Sequence, residues 1–148
     1  MKFEKSVTVK APREAVWKFL WDVPRVAACL TGCKEAHVVE EGKRYTAVVG
    51  ERVGPFKVEF PISIEILEVR PPEFLKARGG GKDAKVDGLV KVELDLHLVE
   101  AGGGTEMRLS ADLAILGKLG TLGHSVVVRK GDEVVAKFAD ALRAQLEQ

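Results

Sequence analysis

Between residues 86 and 115 apolar and polar side chains alternate almost without a break. Val86, Val90, Val92, Leu94, Leu96 and Leu98 share one parity, against Lys85, Asp87, Lys91, Glu93, Asp95 and His97. Beyond Ala101-Gly102-Gly103-Gly104 the pattern resumes: Thr105, Met107, Leu109, Ala111, Leu113 and Ile115 oppose Glu106, Arg108, Ser110 and Asp112. A period of two marks strands with one dry and one wet face, an arrangement that antiparallel sheets tolerate. The dry face has to be covered. One cover is available. From about Gly123 to Gln145, Val127, Val134, Val135, Phe138, Leu142 and Leu146 recur at helical spacing, with Arg129, Lys130, Asp132, Lys137 and Arg143 mostly outside. Gly131 interrupts this helix on its Val127 side, at a cost of about 1 kcal/mol relative to alanine. It points either to close packing on the sheet or to room for a ligand.

The rest of the chain fits around that pair of features. Phe3–Val9 has strand composition, with Phe3, Lys5, Val7 and Val9 on one face. Residues 11–22 read as a short helix with Pro12 in its first turn and Val16, Phe19 and Leu20 as its buried stripe. A second short helix runs from Pro24 to about Leu30. Strands at 34–40 and 44–52 are joined at Glu41-Gly42. Phe56, Val58, Phe60, Ile62, Ile64 and Ile66 form the dry face of the next strand, where Pro61 marks an edge or a bulge. Pro71-Pro72 ends it. Phe74–Arg78 is expected to be a shorter strand that stops at Gly79-Gly80-Gly81. The order is strand, two short helices, six strands in meander and one long helix. It predicts a single α+β domain over residues 1–148 with a helix-grip fold. In that fold a curved seven-stranded antiparallel sheet wraps around the long C-terminal helix, with two short helices between strands 1 and 2.

In a meander the connections 53–56, 79–85 and 117–123 share one end of the sheet, and all three are rich in glycine. The opposite end has a soft loop as well, at 101–104. Apolar content separates the two: Val53, Phe56, Leu119 and Leu122 lie at the first. That end is therefore read as the mouth of an apolar cavity, with Gly54, Pro55, Phe56, Gly117, Leu119, Gly120, Leu122, Gly123 and His124 around it. The segment 117–123 reads as a flexible, solvent-exposed and apolar gate. The cavity itself is expected between the strands and the long helix, bounded by Phe60, Ile62, Leu94, Leu96, Met107, Leu109, Val127, Val134, Phe138 and Leu142.

Chemistry is harder to find. Basic residues number 23 and acidic residues 22, a balance that argues against a nucleic-acid partner. Cys29 and Cys33 stand at helix-like spacing, but too few other ligands accompany them for a metal site, and no metal or cofactor is expected. His97 falls on the wet parity and His37 has no recognisable partner, whereas His124 is placed to face the mouth. No nucleophile elbow frames a serine, and Gly79-Gly80-Gly81 with Lys82 and Lys85 lacks the signature of a phosphate loop. Inward parities carry almost only apolar side chains, so no catalytic residue is assigned. A cyclase- or hydrolase-type enzyme on the same fold, or an adaptor with a filled core, remains the alternative reading. Trp17 and Trp21 either cover the edge of the core or form an aromatic patch for a partner or a membrane. No apolar run approaches the roughly 20 residues needed to span a bilayer. The N-terminus begins as a strand without a signal-peptide core, so the expected location is cytoplasmic.

Several motifs carry a family resemblance along nearly the whole chain. They are Ala11-Pro12-Arg13-Glu14-Ala15-Val16-Trp17 with Asp22, then Gly32-Cys33, Val53-Gly54-Pro55-Phe56, Gly103-Gly104-Thr105 opening a strand, and Gly117-Lys118-Leu119-Gly120-Thr121-Leu122-Gly123 before the helix. This ordered set resembles the CoxG family associated with carbon monoxide dehydrogenase, within the START/Bet v 1-like superfamily of polyketide cyclases and lipid-transfer proteins. Thr31 stands where the family usually has proline, Gly120 where it commonly has alanine, and His124 near a common arginine. The resemblance implies an accessory protein for a molybdenum-containing CO dehydrogenase or a related hydroxylase. It also implies a lipid or quinone ligand in an apolar cavity, and peripheral contact with the inner face of the cytoplasmic membrane.

Overall fold

A computed structural model describes residues 1–30, 32–83 and 88–147. Strand β1 (Lys2–Val9) leads into two short helices, α1 (Arg13–Leu20) and α2 (Val23–Cys29). Six strands follow: β2 (Cys33–Glu40), β3 (Arg44–Val53), β4 (Phe56–Arg70), β5 (Phe74–Asp83), β6 (Gly88–Ala101) and β7 (Gly104–Gly117). A short 3-10 turn, Lys118–Leu122, joins β7 to the C-terminal helix α3 (His124–Leu146). All neighbours are antiparallel, in the order β1-β7-β6-β5-β4-β3-β2. Thr31, residues 84–87 with Lys85, Val86 and Asp87, and the side chain of Val53 lie outside the described residues.

The sheet curls because α3 has to be held from two sides. On one side α3 packs on β1. Lys5 meets Asp132 at 3.1 Å, Arg143 Nε donates to the Thr8 carbonyl at 3.0 Å, and the Lys10 amide donates to Glu147 at 2.7 Å. Gly131 faces Phe3, and a β-carbon there would stand 2.9 Å from the Phe3 ring. The glycine thus serves close packing of helix on sheet. On the other side Lys130 pairs with Glu51 of β3.

The triple glycine corrects the reading from sequence. Gly79, Gly80 and Gly81 do not end β5 but run through it, opposite Ile64, Ser63 and Ile62 on β4 and opposite Val92, Lys91 and Val90 on β6. A β-carbon on Gly81 would lie 2.7 Å from the Pro61 carbonyl, so glycine is what lets the two strands approach at the bend. The β4–β5 ladder stops at Ile62, next to Pro61, which has no N–H to donate. Pro61 is thus a local edge inside the sheet. Beyond it the buried Asp83 carboxylate accepts the Glu59 amide at 2.8 Å, in place of a ladder carbonyl.

The main core gathers Val9, Val16, Phe19, Cys29, Leu96, Leu98, Met107 and Leu142, so it lies where α1 and α3 meet β1, β6 and β7. Thr105 is fully buried there and its hydroxyl donates to the Ala11 carbonyl at 2.8 Å. A second, smaller cluster joins Val58, Phe60 and Leu119.

Candidate functional site

The two short helices decide where the interior stays open. Asp22 caps α2 by accepting the Arg25 amide at 3.4 Å, and Pro24 sits in its first turn. The helix is only seven residues long, and β2 begins at Cys33. A segment this short cannot cover the width of the sheet, and a cavity of about 190 Å3 remains beneath it. Leu20, Trp21, Val23, Val26, Ala27 and Leu30 form the roof. Cys33 and Ala36 of β2, with Tyr45, Ala47 and Val49 of β3, form one wall. Ile62, Ile64 and Ile66 of β4 and Leu75 of β5 form the other. Among the described residues no charged side chain lines it. The Tyr45 hydroxyl is turned away to the β2–β3 turn, where it accepts the Gly42 amide at 2.8 Å. Burial pushes the Cys33 thiol pKa up, and burial does the same at Cys29, partly offset by the Arg25 charge. Both thiols are therefore protonated at ordinary pH.

The residues chosen from sequence as cavity wall divide among different surroundings. Leu96, Met107 and Leu142 are part of the main core, and Leu109 and Phe138 pack against it. Phe60 belongs to the second cluster, with Ile62 beside it. Ile62 also lines the cavity under α2. Leu94, Val127 and Val134 are half-buried. The sequence reading missed the roof residues and Cys33, because a cavity formed by two short helices leaves no periodic signal.

At the glycine-rich end the described apolar residues pack on one another. Leu119, expected in an exposed loop, is 3% exposed and packs with Val58 and Phe60, with Phe56, Val90, Ile115 and Leu122 around them. Leu122 also lies against Gly54. His124 is exposed at the start of α3, and His37 and His97 are exposed on their strands. Trp17 and Trp21 pack edge to face at 5.8 Å. Trp17 leans on the core and Trp21 on the cavity.

A wider hollow of about 840 Å3 lies on the polar outer face, over the row Ser63, Gly80, Lys91 and Ala114, with the Arg78–Glu65 pair at its rim at 3.0 Å. It is the open saddle of the bent sheet. The smaller hollow under α2 has the apolar walls that a ligand site requires.

The family model that fits this architecture describes the G subunit of carbon monoxide dehydrogenase, CoxG, and it matches residues 6–147. The chain belongs to that family. No curated protein sequence matches it. Among solved structures it is similar to a conserved protein from Geobacillus kaustophilus, with TM-score 0.89, 20% identity, and 98% of this chain and 94% of that one covered. A START superfamily protein from Mycobacterium smegmatis superposes with TM-score 0.75 at 15% identity, covering 99% and 97% of the two chains. Ara h 8.0201 does so with TM-score 0.69 at 15% identity, covering 98% and 96%. These likenesses establish the helix-grip fold of a START/Bet v 1-like protein. CoxG membership and this fold together suggest a ligand-binding accessory role. No described helix of this CoxG protein is long and apolar enough to cross a membrane.

Proposed function

We propose that this CoxG protein is a non-enzymatic accessory subunit that holds an uncharged hydrophobic molecule, a lipid or a quinone, in its apolar interior. Its partner in this reading is a CO dehydrogenase-type molybdenum oxidoreductase, and its place is the cytoplasm, at the inner face of the membrane. The observation that carries the reading is the wall chemistry beneath α2. Apart from Thr46 and the Cys33 thiol, which burial keeps protonated, the lining residues are aliphatic or aromatic. Such walls favour uncharged guests, because an ion loses its hydration there without finding a partner. Among the described lining residues there is no carboxylate, histidine or lysine to serve acid–base catalysis. Leu94, Leu109, Val127 and Val134 extend the proposed contact surface toward α3 when a larger guest is bound.

Native mass spectrometry of protein purified gently from its own cells tests this. A co-purifying neutral lipid or quinone, lost after organic extraction, is the expected result. Protein that emerges bare, and that also fails to bind the neutral probe N-phenyl-1-naphthylamine, refutes it.

A further inference from the structure

We infer that the hydrophobic guest passes between the α1–α2 corner and the far end of β4, with α2 lifting as a roof, and not through the glycine-rich end. This rests on the reading of the chain as a hydrophobic-ligand protein, and four observations support it.

Among the described residues, buried contacts hold the 3-10 turn down on the glycine-rich end. Leu119 is wedged against Phe60 and against Gly88, and Leu122 covers Gly54. Lys130 and Glu51 clasp α3 to β3 close behind, each with only 18% of its side chain exposed. Opening there would break a hydrophobic cluster and strand two half-buried charges.

The cavity under α2 is closed much more lightly. Among the described residues no ion pair holds α2, and its side-chain tie to α3 is the Arg25 Nη2 to Gln145 bond at 3.0 Å. Cys29 and Val26 anchor one side of the helix to the core, while Val23, Ala27 and Leu30 face the cavity. A helix anchored along one side is built to swing on it.

Size adds a third argument. About 190 Å3 is less than the roughly 300–1,000 Å3 of typical ligand pockets. A guest larger than a single ring has either to extend out of this space or to raise the roof.

The fourth is the rim. Leu67 and Val69, just beyond the cavity residue Ile66, are 39% and 37% exposed. A register shift between Ile66 and Glu68 leaves Leu67 out of the ladder, which resumes with Glu68 opposite Lys76 and Val69 opposite Leu75. Apolar side chains beside an apolar cavity give a guest a continuous dry path.

Cys33 provides a reporter beneath the roof, and Cys29→Ala leaves it as the sole thiol. Two measurements are made on the ligand-free protein: the rate of Cys33 labelling by N-ethylmaleimide, and stopped-flow exchange of N-phenyl-1-naphthylamine. Asp22→Ala removes the α2 cap, and Arg25→Gln removes the tie to Gln145. Each is expected to speed labelling and probe exchange about threefold to tenfold, with probe Kd changed less than twofold. Lys130→Met, which frees the glycine-rich end, leaves both rates within twofold. The opposite pattern, fast with Lys130→Met and unchanged with the α2 variants, overturns the route. Circular dichroism confirms that each variant is folded before rates are compared. If the probe does not bind at all, the ligand reading falls. Labelling then still decides whether α2 opens: acceleration in the α2 variants supports the moving roof, and unchanged labelling refutes it.

Discussion

The side chain of Leu119 occupies the space that a β-carbon on Gly88 would need. The 3-10 turn after β7 is thereby keyed into the first residue of β6, and Leu119 is carried down onto Phe60 and Val58. Leu119, which reads from sequence as an exposed loop residue, is buried in the fold.

Gly88→Ala is therefore expected to destabilise the protein. The added methyl forces Leu119 out of its cluster, an overpacking cost of about 1–3 kcal/mol. The denaturant midpoint measures it. Leu119→Ala in the same chain makes room for the methyl, so the double variant should lose less than the sum of the two single losses. Strict additivity would show that the two residues are not coupled.

Gly131→Ala is a second test of close packing. On an exposed helix this change would stabilise by about 1 kcal/mol. Here the new methyl meets the buried Phe3 ring at 2.9 Å. The expectation is a net loss of stability in thermal or denaturant unfolding, converted to a gain when Phe3→Leu is combined with it. A simple stabilisation in the wild-type background would mean that α3 does not rest on β1 this closely.

The clasp between α3 and β3 predicts a pH dependence. The hydrogen bond from Lys130 to Glu51 is the largest influence on Lys130, and it raises the ammonium pKa above its ordinary value. A raised pKa in the fold means that the pair stabilises fully below the unfolded value, about pH 10.4, and that this contribution fades as pH climbs through the folded value. Lys130→Met should cost on the order of 1 kcal/mol at pH 7, because the pair is partly solvated. The gap between wild type and variant should close above about pH 10.4. A gap that stays constant from about pH 7 to about pH 11 would exclude this ionic contribution.

Much of this architecture is legible in the residues, and the failures have physical causes. Alternation in β6 and β7 places Leu96, Leu98, Met107 and Ala111 on the buried face, because strand parity leaves each side chain only two directions. The spacing of α3 places Leu142 inward for the equivalent reason. Gly79-Gly80-Gly81 misleads because glycine signals two things, a turn and a close approach, and the sequence does not say which. Leu119 misleads because burial of a loop side chain depends on what the loop folds back onto. The cavity beneath α2 is invisible for the same reason. It arises from the mismatch between a seven-residue helix and a wide sheet, and no local pattern encodes that gap.

The cavity itself can be tested by filling it. Ala27 faces it from the roof, at the centre of α2. Ala27→Leu introduces three more carbon atoms into an apolar space that otherwise has nothing to pack against. At about 0.8 kcal/mol per buried methylene, the ligand-free protein should gain roughly 1–2 kcal/mol, part of the full value being lost to fixing the new side chain. The same change removes room for a guest, so affinity for N-phenyl-1-naphthylamine should fall at least tenfold. Stability and affinity moving in opposite directions is the diagnostic result. A destabilised variant that binds the probe normally would place the binding site elsewhere, in the half-buried surface of Leu94, Val127 and Val134 between the sheet and α3.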